Sequence, residues 1–566
     1  MSASSKKQLR KEQNLAELTE KQLQEKKEAK KLKIYTVTFV VVIALIIALG
    51  IFLIGRNTVV NSGMLQKTTA AKIGDHKLTA VELNYFYVDY IQETYNYWYE
   101  SYGGMTDTYV AMLYGGLNTS APLNEQYYDE EGKVTWAEFF ANQAVKDATA
   151  IYAVYDEAVA KGCTLSEEEL SSINSNLQLQ AAYAGIYGYD GLDSYLEAVY
   201  GTGSSEKSFR KYLEMNALVE KYYNEYGTAL TYDDADYRAY EAEHYDDFTS
   251  YSYSYFYVDT KKFLEGGTTA EDGKITYSAE EEEASVKAAE AAAQKLVDSG
   301  AADSAALKEQ IKQIPQLESF KESEFYTKED ILYTSVAGIS NITAADIQKW
   351  LSDDARAAGD LTMFVDQRTT TAEDGTETTT VYGYFVMIVE EINENKMNLV
   401  NVRHILLGFE GGTTDSEGHV TYSDEEKQKA LDKANAVLDQ FNAGERTEDA
   451  FSALVADNSD DSGSVNNGGL YEDVYPGQMV KNFNDWCFDE ERQVGDVEIV
   501  ETEYGYHIMY YVGTGETVFR DYMIDNTLRN KDVDEWYEAL VNSVTAENVK
   551  IKYLNLDYII KPASSY

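Results

Sequence analysis

From Leu399 to Leu407 apolar and polar positions alternate strictly, so Val400, Val402, His404 and Leu406 share one face, as in a strand buried on one side. A second alternating run, Tyr504 to Val512, places His507, Met509 and Tyr511 together on one face. Elsewhere the period is helical, predicting helices at roughly 136–160, 167–183, 205–226 and 232–244. Thr79 with Glu82 and Ser166 with Glu169 have the spacing of capping boxes, in which hydroxyl and carboxylate each take an unpaired amide at a helix start. Residues 34–54 form an uncharged apolar run, long enough at about 1.5 Å per residue to cross a hydrocarbon layer about 30 Å thick. A last helix is predicted from Glu516 to Val544, with a short strand, Lys550 to Leu556, after it.

The patterning repeats internally. Gly266–Glu282 (GGTTAEDGKITYSAEEE) and Gly411–Lys427 (GGTTDSEGHVTYSDEEK) agree at ten of seventeen positions, and each precedes an Ala-rich amphipathic helix, about 280–298 and 425–441. Downstream, the spacing of Trp350, Arg356, Gly359 and Asp360 matches that of Trp486, Arg492, Gly495 and Asp496, and Tyr382–Phe385 parallels Tyr504–His507. Residues 250–395 are therefore read as a second copy of the domain at 398–514. In that copy Phe385 stands for the second histidine and the strand Tyr251–Val258 has none, so it keeps the fold without the polar chemistry. Its segment Asp366–Thr380 reads as an exposed hairpin.

With 566 residues the chain requires several cores. The formal net charge is −49, although residues 1–33 carry ten Lys/Arg against five Glu. Phosphate would be repelled by such a body, which argues against nucleic-acid partners. The basic segment ahead of the apolar run favours a cytoplasmic N-terminus with the acidic body translocated, and an uncleaved signal anchor over a cleaved signal peptide. Cys163 and Cys487 fall in different predicted domains and are read as free, buried thiols. The stretch around Tyr85, Tyr87, Tyr90, Tyr95, Tyr97 and Tyr99 is read chiefly as helix packing, with a surface for unfolded chains as the functional alternative. His76 and His244 read as loop and helix-end residues without chemical partners.

Candidate chemistry concentrates between the two histidine strands, where Ser459-Asp460-Asp461-Ser462-Gly463, Gly468-Gly469-Leu470 and Gly477–Phe483 follow one another. Imidazoles on apolar strand faces with a carboxylate in a Gly-bounded loop suggest a small cleft with a polar floor. Met479 and Phe483, four apart, suit one helical face. The same residues spell a 2-His-1-carboxylate metal set, which nothing in their spacing demands. Asp457–Asp461 resembles a calcium loop, but its twelfth position is Gly468 rather than Glu.

The order RHILL, SDD, GGL, GQMVKNF, GYHI over 398–514 resembles the parvulin-type peptidyl-prolyl cis/trans isomerases, and the whole chain is similar to extracytoplasmic foldases of the PrsA type and chaperones of the SurA type. That resemblance implies an isomerase needing no cofactor or metal, with His404, Asp461 and His507 in orienting and electrostatic roles and Leu470, Met479 and Phe483 lining a proline pocket. Parvulins carry Cys or Asp at the position of Asp461. Phosphate-directed parvulins carry a basic loop where this chain has Glu410, Asp415, Glu417, Asp424, Glu425 and Glu426, so phosphate is not expected to be required. No cysteine near the apolar run offers the lipid acceptor common among PrsA-type proteins.

The resulting expectation is an α+β multidomain chain. It comprises a cytoplasmic tail at 1–33, a transmembrane helix at 34–54 and a helical SurA-like chaperone domain at 66–247. A degenerate parvulin-like domain at 250–395 and an isomerase domain at 398–514 follow, and a C-terminal segment at 515–566 returns to complete the chaperone domain. The expected role is to assist the folding of secreted proteins at X–Pro bonds from a single-pass position in a Gram-positive-type cell membrane, with unfolded secreted chains as partners. The alternative is a membrane-tethered holdase that keeps the parvulin fold without turnover. Oligomeric state is left open, a dimer through the chaperone domain being one option.

Overall fold

The computed structural model describes residues 68–101, 117–129, 131–372, 374–415, 419–556, 558 and 560. The described residues fall into two compact units, one formed up to Leu230 and again from Lys531, the other formed by Thr231–Asn530. The apolar run at 34–54 lies outside the described residues. Among those described, no helix is long and apolar enough to cross a membrane.

The first unit opens with the hairpin β1 (Thr69–Ile73) and β2 (His76–Thr79), then α1 (Ala80–Ser101), α2 (Trp136–Ala160), α3 (Glu167–Ile186), α4 (Leu192–Tyr200) and α5 (Glu206–Ala229). Both capping boxes form: the Glu82 carboxylate accepts from Thr79 N–H at 2.8 Å, and the Glu169 carboxylate from Ser166 N–H at 2.6 Å. The α1 tyrosines divide by face, Tyr85, Tyr87 and Tyr95 being buried while Tyr97 and Tyr99 are exposed. His76 and His244, expected to lack partners, have them. His76 Nε2 lies 2.7 Å from Asp156, and His244 Nδ1 lies 3.0 Å from Asp247, so each is a surface residue hydrogen-bonded to a carboxylate. Cys487 is buried and free, but Cys163, expected to be buried, is only half-buried, its thiol 3.6 Å from Glu225.

The second unit begins with α6 (Asp234–His244) and holds two domains of one topology. The first contains β3 (Ser250–Asp259), the small hairpin β4 (Thr268–Thr269) and β5 (Ile275–Thr276), and α7 (Ala279–Val297) with α8 (Ser304–Lys312). It is completed by β6 (Phe325–Leu332), α9 (Ala344–Leu351), β7 (Leu361–Thr371) and β8 (Glu377–Asn393). The second repeats the series: β9 (Asn398–Gly408), β10 (Thr413–Thr414), β11 (Val420–Thr421), α10 (Asp424–Ala443) and α11 (Glu448–Asn458). Then come β12 (Leu470–Val474), α12 (Lys481–Cys487), β13 (Val497–Glu501) and β14 (Gly505–Val518). Strand orders are β6-β3-β8-β7 and β12-β9-β14-β13, both antiparallel.

Alternation decides which side of each sheet does what. In the second copy Ile405, Leu407, Ile508 and Tyr510 face α10 and α11, while Val400, Val402, Met509 and Tyr511 face α12 through Phe483 and Trp486. The first copy packs likewise, Phe256, Val258, Val386 and Ile388 on α7 and α8, and Tyr253, Tyr255, Phe385 and Met387 on α9. A guanidinium over a tryptophan recurs in both, Arg356 at 4.3 Å from the Trp350 ring and Arg492 at 4.2 Å from that of Trp486. Asp366 departs from its expected exposure. It is buried, its carboxylate accepting from the Tyr257 hydroxyl (3.0 Å), the Ser340 hydroxyl (2.9 Å) and the Asn341 amide (2.6 Å), and the exposed arm begins only at Gln367.

After β14 the chain enters α13 (Phe519–Asn542), whose residues from Lys531 count with the first unit, and then β15 (Ala546–Glu547), which pairs with β1 through Glu547 and Lys72. Two boundaries differ from expectation. Glu516–Val518 stay in β14 because Val518 still pairs with Asn398, and the helix starts where Phe519 and Arg520 donate their backbone N–H groups to Met397 and Asn395. The strand expected at 550–556 is a short helical turn, Ile551–Tyr553. Asn548, at φ +55°, swings the chain out of the extended form right after β15, and Leu554 drops into the first unit's core.

Arg520 ties the second unit together. It is 1% exposed and pairs with the buried Glu241 of α6, while its guanidinium donates to the carbonyls of Phe248 and Glu394 at 3.0 Å and to that of Tyr245. It thus joins α6, the entrance to β3, the exit of β8 and α13. Arg520→Leu leaves three carbonyls and a carboxylate without this donor, so the urea unfolding midpoint of the full chain should fall by the equivalent of about 3 kcal/mol or more.

Candidate active site

β9 and β14 are neighbours, and their register sets the site. His404 stands opposite Met509 and His507 opposite Leu406, so both imidazoles leave the sheet on the α12 side, one step apart. Their Nδ1 atoms face each other at 3.0 Å, and the rings are 2% and 6% exposed. The loop after α11 delivers Asp461, whose Oδ2 lies 2.9 Å from His404 Nε2. Gly469, at φ +74°, runs so close to β9 that a Cβ there would lie 2.3 Å from the His404 carbonyl oxygen, and its own carbonyl accepts the His404 N–H at 2.9 Å. That approach holds the loop carrying Asp461 against the strand.

Asp461 is surrounded by donors. Its Oδ2 accepts from the hydroxyls of Ser464 and, at 3.0 Å, Tyr471, and its Oδ1 accepts from Gly463 N–H at 3.1 Å. Burial alone would raise this carboxyl. The hydrogen bonds from Ser464, Gly463 and Tyr471 and the nearby His404 outweigh it and bring it down to about 2. The charge on Asp461 then fixes every proton behind it. A carboxylate only accepts, so His404 carries its proton on Nε2 and offers a lone pair at Nδ1. His507 must therefore donate from Nδ1, leaving its Nε2 to accept from the Thr502 hydroxyl at 2.9 Å. The bonds run one way, from Thr502 through both imidazoles to Asp461.

Both imidazoles are held neutral. Burial pushes His507 down to about 3, helped by the neighbouring His404 and opposed by Asp461. Burial also lowers His404, against the pull of Asp461. Burial raises the Tyr471 phenol to about 12, reinforced by the carboxylate its hydroxyl meets. The arrangement does not suit a 2-His-1-carboxylate metal set. The histidines direct their Nδ1 atoms at one another and Asp461 meets the opposite nitrogen of His404, so the three do not converge on one point. Among the described residues no group of three or more His, Cys, Asp or Glu is disposed to hold a metal.

The apolar wall comes from α12 and the chain entering it. The Phe483 ring meets His404 edge-on at 5.6 Å and His507 at 5.4 Å. Met479 packs on the same cluster but precedes the helix, which starts at Lys481, so it reaches the wall from a bend rather than from a shared helical face. Leu470 is not brought in. It pairs with Arg403, whose side chain turns to Glu448 on α11, and the residue that β12 lends to the floor is Tyr471, paired with Val402. Five of the six expected side chains thus meet, and three others join them that the sequence reading passed over: Ser464, Tyr471 and Thr502. Alternation from Leu470 offers a signal for Tyr471, whereas Ser464 and Thr502 sit in turns where no period helps.

The first copy has the frame without the floor. Tyr255 faces Met387 as His404 faces Met509, and Phe385 faces Tyr257 as His507 faces Leu406, with Tyr255 and Phe385 rings 5.9 Å apart. Ile347, three before Trp350, takes the place of Phe483, three before Trp486.

Neutral, buried imidazoles fix the sign of a pH dependence. His507 takes a proton near 6.5 when unfolded but only at about 3 when folded, so between those values the unfolded chain binds the extra proton and stability falls as pH falls. The slope is about 1.4 kcal/mol per pH unit for one proton. Denaturation followed between pH 7 and pH 4 should show this loss, and His507→Phe, the residue of the first copy, should remove one proton's worth of it.

Residues 384–512 match the sequence model of the PPIC-type PPIASE domain, a stretch running from within β8 to within β14. Similar solved structures include the peptidylprolyl isomerase PrsA of Bacillus anthracis, at 20% identity over 26% of this chain and 59% of that one, with a TM-score of 0.17. PrsA of Bacillus subtilis is 12% identical over 73% of this chain and 89% of that one, with a TM-score of 0.27. The Campylobacter jejuni SurA-like chaperones PEB4 and Cj1289 give 24% identity over 25% and 53%, with a TM-score of 0.15. The chain thus spans less than two thirds of the Bacillus anthracis and Campylobacter structures it matches. No curated protein matches it significantly.

Proposed function

We propose, from the premise that residues 384–512 hold a parvulin-type peptidyl-prolyl isomerase domain, that the cleft between β9, β14 and α12 is where the X–Pro bond turns. Resonance in that bond sets a barrier of about 18–20 kcal/mol, and a catalyst need only bind the twisted amide better than either planar form. The reading is carried by one observation: a one-way chain of hydrogen bonds ending on a charged carboxylate, set beside an apolar wall. Met479 and Phe483 grip the proline ring and exclude water, which weakens the amide's charge-separated planar form. The neutral His404 and His507 keep fixed tautomers and Asp461 a fixed charge, so the field at the carbonyl is set before substrate arrives. No bond is broken and no proton needs to leave the chain. Leu470 has no part in this pocket.

The proposal extends to the whole chain as a foldase anchored by residues 34–54, its body outside the cytoplasm, acting on unfolded secreted proteins. The uncharged apolar run behind a basic segment supports the anchor. The exposed Tyr97, Tyr99, Tyr127 and Tyr128 on the helical unit support transient client binding. The acidic residues before and at the start of α10 support substrates without phosphate, since its lysines Lys429 and Lys433 are already engaged by Glu410.

Two assays test it. His404→Ala with His507→Ala should lower the isomerisation rate of a short X–Pro peptide by about two orders of magnitude, roughly 3 kcal/mol of barrier, while suppression of client aggregation persists. A wild-type chain that does not accelerate the peptide would leave only the holdase. In cells expressing the chain, it should sediment with membranes, and protease added outside should digest the body; a soluble or protected body would overturn the placement.

A further inference from the structure

Tyr471 stands outside the relay that runs from Thr502 to Asp461, yet it touches two of its members. It is the last β12 residue before the register slips, with Asp473 at φ +52° two positions on, and it is held by two contacts of different kind. Its ring lies nearly parallel to that of His404, at 4.9 Å and 23°, on a different side from Phe483, which meets the same imidazole edge-on. Its hydroxyl donates to Asp461 Oδ2, the oxygen that also receives His404 Nε2. One side chain therefore restrains both partners of the central His–Asp contact. The first copy supplies an internal comparison: Tyr326 stacks on Tyr255 at 5.1 Å and 18°, yet that stack meets no imidazole, and the carboxylate of that domain, Asp366, takes its tyrosine hydroxyl from Tyr257 instead. In the first copy the ring stack and the hydroxyl-to-carboxylate bond belong to different tyrosines, whereas in the second Tyr471 makes both, and makes them to an imidazole and to the carboxylate bonded to it.

We propose that Tyr471 is a positioning residue of the isomerase site, its hydroxyl holding the Asp461 carboxylate in the orientation that fixes the His404 tautomer and its ring holding the imidazole plane. The inference rests on the catalytic reading above for its consequence in turnover, but its geometric content stands apart from it. Tyr471→Phe keeps the ring and removes one of three donors on Oδ2. In the full chain it should lower kcat for an X–Pro peptide roughly five- to tenfold with KM little changed. It should also move the acid limb of the pH–rate profile up by about one pH unit, because the carboxylate and the imidazole beside it then both hold protons more readily. Tyr471→Leu, lacking ring and hydroxyl, should lose more than Tyr471→Phe.

A second readout does not depend on turnover. With histidines labelled at Cε1, the His404 signal, one of five, should shift and titrate at higher pH in Tyr471→Phe while the signals of the surface histidines His76, His244 and His419 stay put. Wild-type kcat and pH profile in Tyr471→Phe, with the His404 signal unmoved, would overturn the inference. An inactive wild type whose His404 signal still responds to Tyr471→Phe would sink the catalytic reading and leave this one standing. No loss in Tyr471→Phe and no shift of the acid limb, together with a loss in Tyr471→Leu that accompanies a lowered unfolding midpoint, would reduce Tyr471 to packing.

Discussion

The antiparallel pairing of β9 with β14 is the constraint on which the rest hangs. Side chains alternate with a period of two, so a slip of one residue would send one imidazole to the α10–α11 core and strand it among Phe441, Phe451 and Tyr510. The observed register brings Nδ1 to Nδ1 at hydrogen-bond distance. Gly505 and Gly408 face each other at one end of the pairing, where a Cβ on Gly505 would lie 2.2 Å from the Leu407 carbonyl oxygen. The tight crossing there and the apolar residues on the helical face lock the frame. A buried imidazole pair is tolerable only if each polar nitrogen finds a partner, and here every one does. The polar network is therefore a product of the sheet register rather than of the loops alone.

The two domains of the second unit show how much a fold can hold constant while its chemistry changes. Strand order, the arginine over the tryptophan and the glutamate that reaches a Gly-Gly turn recur, the last as Glu281 to Gly267 and Glu426 to Gly412, both at 2.9 Å. Those contacts stabilise the scaffold and are indifferent to what fills the cleft. The cleft itself differs at each position that carries a proton, with aromatic packing in place of imidazole hydrogen bonds.

Much of this was legible in the sequence for physical reasons that differ by element. The two histidine strands were readable because one face of each is buried and alternation records it, and the repeat because scaffold contacts constrain residues at fixed spacing. Asp461 was legible through its turn. The failures are as specific. Leu470 and Tyr471 are neighbours on one strand, and choosing between them requires knowing which strand β12 pairs with. Met479 was assigned to a helix that begins two residues later. Asp366, in a stretch of threonines and acids, gave no sign of burial, since its partners Tyr257, Ser340 and Asn341 come from distant segments. His76 and His244 look idle in sequence because their aspartates are supplied across the fold or around a turn.

Asp366 also bears on whether the first domain's cleft is dormant or rebuilt. It lies beside Gly383 on β8 as Thr502 lies beside Gly505 on β14, so the place where a hydroxyl begins the relay in one domain is taken in the other by an anion saturated with donors. Grafting imidazoles at 255 and 385 would set them in a field of reversed polarity, with the negative pole at the wrong end and none beside the first ring. On the proposed reading of the cleft, competence follows from the direction in which its dipoles are strung, and a vector is not restored by exchanging two of its components.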